Sequence, residues 1–140
     1  MITIRFIEPV YIHEVIPLLM ELNPSIDEIT LQQRLNAMLA QGYQCVGIFD
    51  NDYLIGISGL WLLVKYYIGR HIELDNVYLK AAYRNQGIGR QLVAWIDEYA
   101  KAQGCVGAEL NCYLTNIDGH RFWEGLGYEK IAFHFQKKYP

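Results

Sequence analysis

The sequence predicts a single domain of mixed α/β class, with a mostly antiparallel central sheet flanked by helices. Three observations lead there. Segments in which apolar residues alternate with period two interchange with segments in which they recur every three or four positions. Three strand-like segments between residues 43 and 79 follow one another across tight turns, which makes an antiparallel meander. A long amphipathic pattern then forms one helical crossover to a further strand. The 140 residues have the size of one domain, with no repeat, low-complexity tract or linker, and 52% are hydrophobic against 19% charged, which supports a folded core.

Taken in order, Ile2, Ile4 and Phe6 alternate with polar residues and give a first strand. Val10 to Leu22 carries an apolar helical face through Ile12, Val15, Ile16, Leu19 and Leu22. Pro17 lies inside that run, so a kink or an offset start is expected, and Asn23-Pro24 closes it. Thr30 with Gln33 reads as a capping box ahead of a second helix through Leu31, Leu35, Met38 and Leu39, which ends at Gly42. Strands follow over Tyr43 to Asp50 and Tyr53 to Lys65, joined by Asp50-Asn51-Asp52. Gly69-Arg70 turns into another strand, Ile72 to Leu79. The helix beginning near Gly87 places Ile88, Leu92, Ile96 and Tyr99 on one face and stops at Gly104. Val106 to Cys112 is a strand. Ile117 to Leu126 is a short helix with Asn116 as its cap and Gly127 past its end, and Tyr128 to Gln136 is a last strand. The predicted order is β-α-α-β-β-β-α-β-α-β.

The bulk properties narrow the function classes. A net charge of −3 argues against a nucleic-acid partner, which needs a basic surface. It is weakly compatible with a cationic substrate. No apolar run reaches membrane-spanning length, so no membrane partner is expected, and the N-terminus lacks the layout of a signal peptide. Cys45, Cys105 and Cys112 are odd in number and show no C-x-x-C spacing, which points to a reduced, cytoplasmic setting and to packing roles. His13, His71, His120 and His134 show no metal-ligand spacing, so no metal is expected.

The stretch that carries most chemistry is Arg84-Asn85-Gln86-Gly87-Ile88-Gly89, between a strand and a helix start. The first N–H groups of a helix have no intrahelical acceptor and the helix dipole adds positive charge there, so such a turn suits phosphate. Glycines remove the Cβ atoms that would hold a pyrophosphate away. A dinucleotide fingerprint would need a third glycine where Leu92 stands. An ATPase-type loop would need Lys and Ser or Thr where Arg90 and Gln91 follow Gly89.

The pattern R/Q-x-x-G-x-G/A in this context resembles the acetyl-CoA loop of the GCN5-related N-acetyltransferase (GNAT) superfamily. Asn116-Ile117-Asp118-Gly119-His120-Arg121-Phe122-Trp123-Glu124-Gly125-Leu126-Gly127-Tyr128 is similar to that superfamily's N-x-x-A-x-x-F-Y-x-x-x-G-F segment. Here glycine replaces alanine, tryptophan replaces tyrosine, and tyrosine replaces the last phenylalanine. The element order matches as well, so the resemblance spans the chain. It implies acetyl-CoA as co-substrate and a primary amine on a small molecule, peptide or protein as acceptor. It also implies that the strands either side of the cofactor loop splay apart, leaving backbone groups for the pantetheine arm. Val77, Tyr78 and Leu79 would pair with that arm, and Arg84, Asn85, Gln86, Gly87, Ile88, Gly89 and Arg90 would hold the pyrophosphate. Arg84 and Arg90 either add charge there or face solvent. Asn116 would bind pantetheine or simply cap its helix. Phe122 and Trp123 would line the thiol end, with core packing as the other reading of Phe122.

Transfer to an amine requires a base for the ammonium and polarisation of the thioester carbonyl, and an acid for the leaving thiolate helps. Glu73 is the candidate base. Its place in an apolar strand fits that role, and it aligns with the general-base glutamate of histone-type relatives. Asp75 shares its face, so the two carboxylates could hold an ammonium, the other reading being an exposed acidic strand face. A backbone N–H near Tyr78 or Leu79 would polarise the carbonyl. The usual acid position carries Trp123, whose indole does not titrate usefully, so Tyr113 or Tyr78, or water, would serve instead. Loss of efficient catalysis, leaving an acyl-CoA-binding regulatory module, is the alternative. Trp61, Tyr66 and Tyr67 are read as acceptor-pocket wall, core or the face of a homodimer. Glu21, Asn23, Asp27 and Glu28 are read as an acceptor contact or a solvated loop.

Overall fold

The computed structural model describes residues 1–140. The chain runs through β1 (Ile2–Phe6), a 3-10 segment (Pro9–Val15), α1 (Ile16–Leu22), α2 (Glu28–Ala40), β2 (Gln44–Asp50), β3 (Tyr53–Lys65), β4 (Gly69–Leu79), a 3-10 turn (Ala81–Tyr83), α3 (Ile88–Ala102), β5 (Gly107–Leu110) and α4 (Ile117–Gly125). The strands form one sheet in the order β1-β2-β3-β4-β5. Neighbours are antiparallel except β4 and β5, which are parallel and joined through α3.

The sheet separates two cores, and β2 shows why its sequence is nearly all apolar. Cys45 and Phe49 enter the core shared with α1 and α2, around Val15, Ile16, Leu35 and Ile57. Val46 and Ile48 enter the core on the α3 side, around Ile72, Leu74, Leu92 and Ile96. A strand buried on both faces reads as a continuous apolar run rather than an alternation. Burial pushes the Cys45 thiol up to about 12, which removes it from thiolate chemistry.

One expectation is sharpened and two are corrected. The Val10–Leu22 helix divides, because Pro17 has no N–H to return to His13. The His13 carbonyl accepts from Ile16 instead, and the α-helix starts afresh with Pro17 in its first turn. The cap of α2 is Asp27, not Thr30: Asp27 Oδ1 accepts the Thr30 N–H at 2.8 Å, and these donors hold its carboxyl below the usual range. Finally, Tyr128–Gln136 forms no strand. Tyr128 N–H bonds back to the Trp123 carbonyl at 3.1 Å, and beyond it no backbone group pairs with another. Alternating apolar residues specify the faces of a strand but do not supply its neighbour. The outer edge of β5 is therefore unpaired.

One irregularity sets the geometry at the end of β4. The β3–β4 register steps from Ile57↔Tyr78 to Gly59↔Asp75, so β4 carries one extra residue. Asn76 within that bulge has φ of 40°. The Tyr43 hydroxyl donates to Asn76 Oδ1 at 2.8 Å. A Cβ at Gly59 would collide with Asn76 Oδ1 and the Tyr43 ring, so only glycine leaves room for the buttress. Gly59→Ala is expected to destabilise the fold by about 1–3 kcal/mol through overpacking, read as a lower urea midpoint at unchanged m-value.

Candidate active site

The β4–β5 ladder runs from His71↔Gly107 to Leu74↔Leu110 and stops. From Asp75 onward β4 keeps β3 on one side and has no strand on the other. The parallel pair is therefore a fork, with the Asn76 bulge at its opening. Val77, Tyr78 and Leu79 line the open side, each half-buried.

Past the tip of β4 the chain turns into α3 through two left-handed residues, Asn85 (φ 62°) and Gly87 (φ 81°). The N–H groups of Asn85, Gln86, Gly87, Ile88, Gly89 and Arg90 meet no acceptor in the chain. They form a cluster of donors at the positive end of a 15-residue helix. Arg84 Nε donates to the Leu79 carbonyl at 2.8 Å, and Gln86 Nε2 to the Ala82 carbonyl at 3.2 Å, so these side chains brace the turn against β4. The Arg84 guanidinium also lies 5.4 Å from the Tyr78 ring. Arg90 is exposed, and neither arginine pairs with a carboxylate.

The two glycines differ in purpose. Gly87 has open space where a Cβ would stand, and its left-handed φ is what requires glycine. At Gly89 a Cβ would come within 3.1 Å of the Phe122 ring, so this glycine admits α4 against the turn. Asn116 caps α4, accepting the Gly119 N–H on Oδ1 at 3.0 Å. A Cβ at Gly119 would meet the Asn116 amide, which would have to shift to make room for it. Trp123 packs edge-on between Phe122 (4.9 Å) and Tyr128 (5.3 Å), against the α3-side core. Tyr113 is 81% exposed in the loop before α4, and its carbonyl accepts from His120 Nε2 at 2.8 Å. Burial raises the Cys112 thiol, contrary to what a nucleophile needs.

On the face of β4 opposite α3, Glu73 and Asp75 point the same way, just ahead of the fork. Lys65 Nζ lies 3.3 Å from Glu73 Oε1, and Trp61 Nε1 donates to Asp75 Oδ2 at 3.1 Å. The register then adds two residues that the sequence alone does not single out. Glu109 of β5 sits directly beside Glu73. Its Oε1 accepts the Tyr67 hydroxyl at 2.6 Å and lies 3.7 Å from Nε2 of the fully buried His71. His71 Nδ1 is 3.0 Å from the Gly69 carbonyl, which can only accept, so Nδ1 carries the proton and Nε2 is left without a partner. Ligand-type atoms of His71, Glu73 and Glu109 lie within 4.8 Å of one another, a cluster that linear spacing could not reveal because two strands supply it. Its electrostatics favour a cation, and Lys65 already demonstrates an ammonium on Glu73. Hydrogen bonding to Glu109 pushes the Tyr67 phenol up to about 12, so it serves as a donor and not a base. Glu21 pairs with Lys80 at 3.8 Å, Asn23 accepts from Ser25 at 2.7 Å, and Tyr66 is fully exposed, so none of the three lies in this cluster.

The model of the "Acetyltransferase (GNAT) family" matches residues 12–128. The chain belongs to the GNAT family. It is 25% identical over 123 residues, 86% of this chain and 87% of the relative, to the uncharacterised N-acetyltransferase YhdJ of Bacillus subtilis. It is 35% identical over 88 residues to the aminoalkylphosphonate N-acetyltransferase of Salmonella typhimurium, covering 62% of this chain and 57% of that relative. The ribosomal-protein-alanine N-acetyltransferase of Brucella melitensis biovar Abortus superposes over the whole of both chains with TM-score 0.84 at 17% identity, a likeness of fold. Members of this GNAT family use acetyl-CoA. The features that fit CoA here are the donor cluster at α3, its two unpaired arginines and the open edge of β4. Gly87→Val is expected to raise the CoA Kd at least tenfold by titration calorimetry, about 1.4 kcal/mol of binding. The same variant should also lower the urea midpoint, because valine is strained at the left-handed φ of this position, yet it should keep a native circular dichroism spectrum without denaturant, because its Cβ meets no neighbour.

Proposed function

We propose that this chain transfers the acetyl group of acetyl-CoA to a primary amine of a small molecule, peptide or protein, with donor and acceptor bound together. The observation that carries this reading is the position of the fork. It opens between the Glu73–Glu109 carboxylates and the free N–H groups of the α3 turn, so one open strand edge links a cation site to an anion site. Bound acetyl-CoA would supply a thioester, an acyl carbon with a thiolate leaving group.

Asn85 to Arg90 hold the pyrophosphate through backbone N–H groups, with Arg84 and Arg90 adding charge. Val77, Tyr78 and Leu79 offer the pantetheine arm an unpaired strand edge. A backbone N–H near Tyr78 or Leu79 donates to the carbonyl oxygen as negative charge builds on it. Asn116, with Oδ1 engaged as a cap, retains its amide N–H groups for the arm. Phe122 seals α4 to the turn. Trp123 acts by the same packing.

Glu73 accepts the proton of the acceptor ammonium, directly or through water, and Asp75 and Glu109 hold the cation beside it. The amine nitrogen then bonds to the acyl carbon, the carbon–sulfur bond breaks, and the thiolate takes a proton from water or from Tyr113. Ordinary thiols titrate at roughly 8–9, so the leaving group does not require a dedicated acid. The names of relatives that act on an aminoalkylphosphonate and on an aminoglycoside support an amine acceptor without fixing which one.

Free-thiol release should be followed with acetyl-CoA against a panel of primary amines. Turnover is expected for at least one amine, and Glu73→Gln should lower kcat about 10²–10⁴-fold with CoA affinity unchanged. CoA binding with no turnover on any amine would favour the acyl-CoA-binding module, the reading supported by the core packing of Trp123.

A further inference from the structure

We propose that His71, Glu73 and Glu109 form a site for a divalent transition-metal ion of the Zn²⁺ class, and that the ion competes there with the acceptor ammonium. Two adjacent strands supply the ligands. His71 and Glu73 alternate onto one face of β4, and Glu109 stands opposite Glu73 on β5. Their ligand-type atoms lie within 4.8 Å of one another. Tetrahedral Zn²⁺, at about 2.0–2.1 Å from each ligand, would hold them roughly 3.3 Å apart, so shifts of under about 1 Å per side chain close the cluster around an ion.

Acidic side chains share a strand face in many proteins without an ion, and what points to a ligand here is His71. Its side chain is fully buried, and its Nε2 has no hydrogen-bond partner. Nδ1 is committed to the Gly69 carbonyl at 3.0 Å, so Nε2 carries a lone pair. Glu109 Oε1 lies 3.7 Å from Nε2, past hydrogen-bond reach. A lone pair and a carboxylate facing one another across that gap repel unless positive charge lies between them. The surroundings are those a metal-bound histidine needs, because an N–H given to a backbone carbonyl fixes the tautomer and the ring orientation. Glu109 is oriented in the same way by the Tyr67 hydroxyl, at 2.6 Å.

The donor set chooses the ion. An imidazole nitrogen suits Zn²⁺ and its transition-metal neighbours, whereas Mg²⁺ and Ca²⁺ take oxygen ligands. Two carboxylates balance the charge of the ion, and three protein ligands leave a fourth position open. Asp75 stays outside the set, since Trp61 Nε1 holds its Oδ2 at 3.1 Å. Lys65, the more exposed partner of its pair with Glu73, gives way to solvent. An ion bound here takes the Glu73 lone pair that would accept the ammonium proton, and so inhibits transfer. That consequence rests on Glu73 as the base; binding of the ion does not.

Titration calorimetry of the metal-free full chain with ZnCl₂, and separately with MgCl₂, tests the site. One Zn²⁺ per chain is expected, bound at least tenfold more tightly than Mg²⁺. His71→Ala and Glu109→Gln should each weaken Zn²⁺ at least tenfold, and Tyr67→Phe about tenfold. His134→Ala, which removes an exposed histidine, should bind as the wild type does. Because His71→Ala empties a buried position, the near-isosteric Glu109→Gln is the deciding variant. Absence of stoichiometric Zn²⁺ would overturn the proposal and leave an imidazolium paired with Glu109. Equal affinity for Mg²⁺, or Zn²⁺ binding unchanged in Glu109→Gln, would overturn it too. With an amine that is turned over, Zn²⁺ should inhibit in competition with the amine and not with acetyl-CoA; uninhibited turnover at stoichiometric Zn²⁺ would overturn the inhibitory role. Zn²⁺ binding by a chain that turns over no amine would support the site and count against the transfer reading.

Discussion

The structure depends on one constraint, the place where the parallel β4–β5 ladder ends. Two strands that stayed paired to their tips would close the sheet and leave nothing for a ligand to add to. Here the ladder ends at Leu74↔Leu110, and the extra residue at Asn76 bends β4 away at that point. Nothing in β4 itself enforces the bend: an asparagine at φ 40° needs support from outside the strand. Tyr43 supplies it through its hydroxyl, and Gly59 supplies it by having no side chain. The opening of the fork is thus set from β3 and the start of β2, and the chemistry at β4 inherits it.

Charge is arranged along that open edge. At one end the N–H groups of the α3 turn and two unpaired arginines make an anion site. At the other, Glu73, Asp75 and Glu109 make a cation site beside Lys65 and Trp61. In the proposed function, a ligand with phosphates at one end and an acyl group at the other would be read by the backbone between them, and an acceptor ammonium by the carboxylates. On that reading the polarity of the edge, more than any single side chain, would select acyl transfer to an amine. It also explains why Trp123 in place of tyrosine is compatible with the reaction: its ring serves packing, with Phe122 and Tyr128, and the thiolate can leave into water.

Much of this was legible in the sequence because it is local. The turn from Arg84 to Gly89, the Asn116 cap and the β3 boundaries each depend on neighbouring residues, and each lies where its pattern places it. What was not legible depends on register. Glu109 and His71 join Glu73 only because β5 docks parallel to β4 with Glu109 opposite Glu73, which no spacing along the chain encodes. Gly89 reads as a phosphate glycine, yet its immediate neighbour is the Phe122 ring, more than 30 residues away. Gly59 reads as an ordinary strand residue, and its need comes from Asn76 and Tyr43. Residues 128–136 read as a strand because alternation is local, while pairing is not.

The central claim is that CoA adds along the open edge of β4 with its phosphates on the α3 turn. Amide hydrogen exchange with and without CoA tests it most directly. If CoA binds in this way, saturating CoA slows exchange in two separate segments, the fork-side amides of Asp75 to Leu79 and the turn amides of Asn85 to Arg90. Amides of β1 and α2 should be unaffected. CoA that binds while leaving both segments unprotected would contradict the claim.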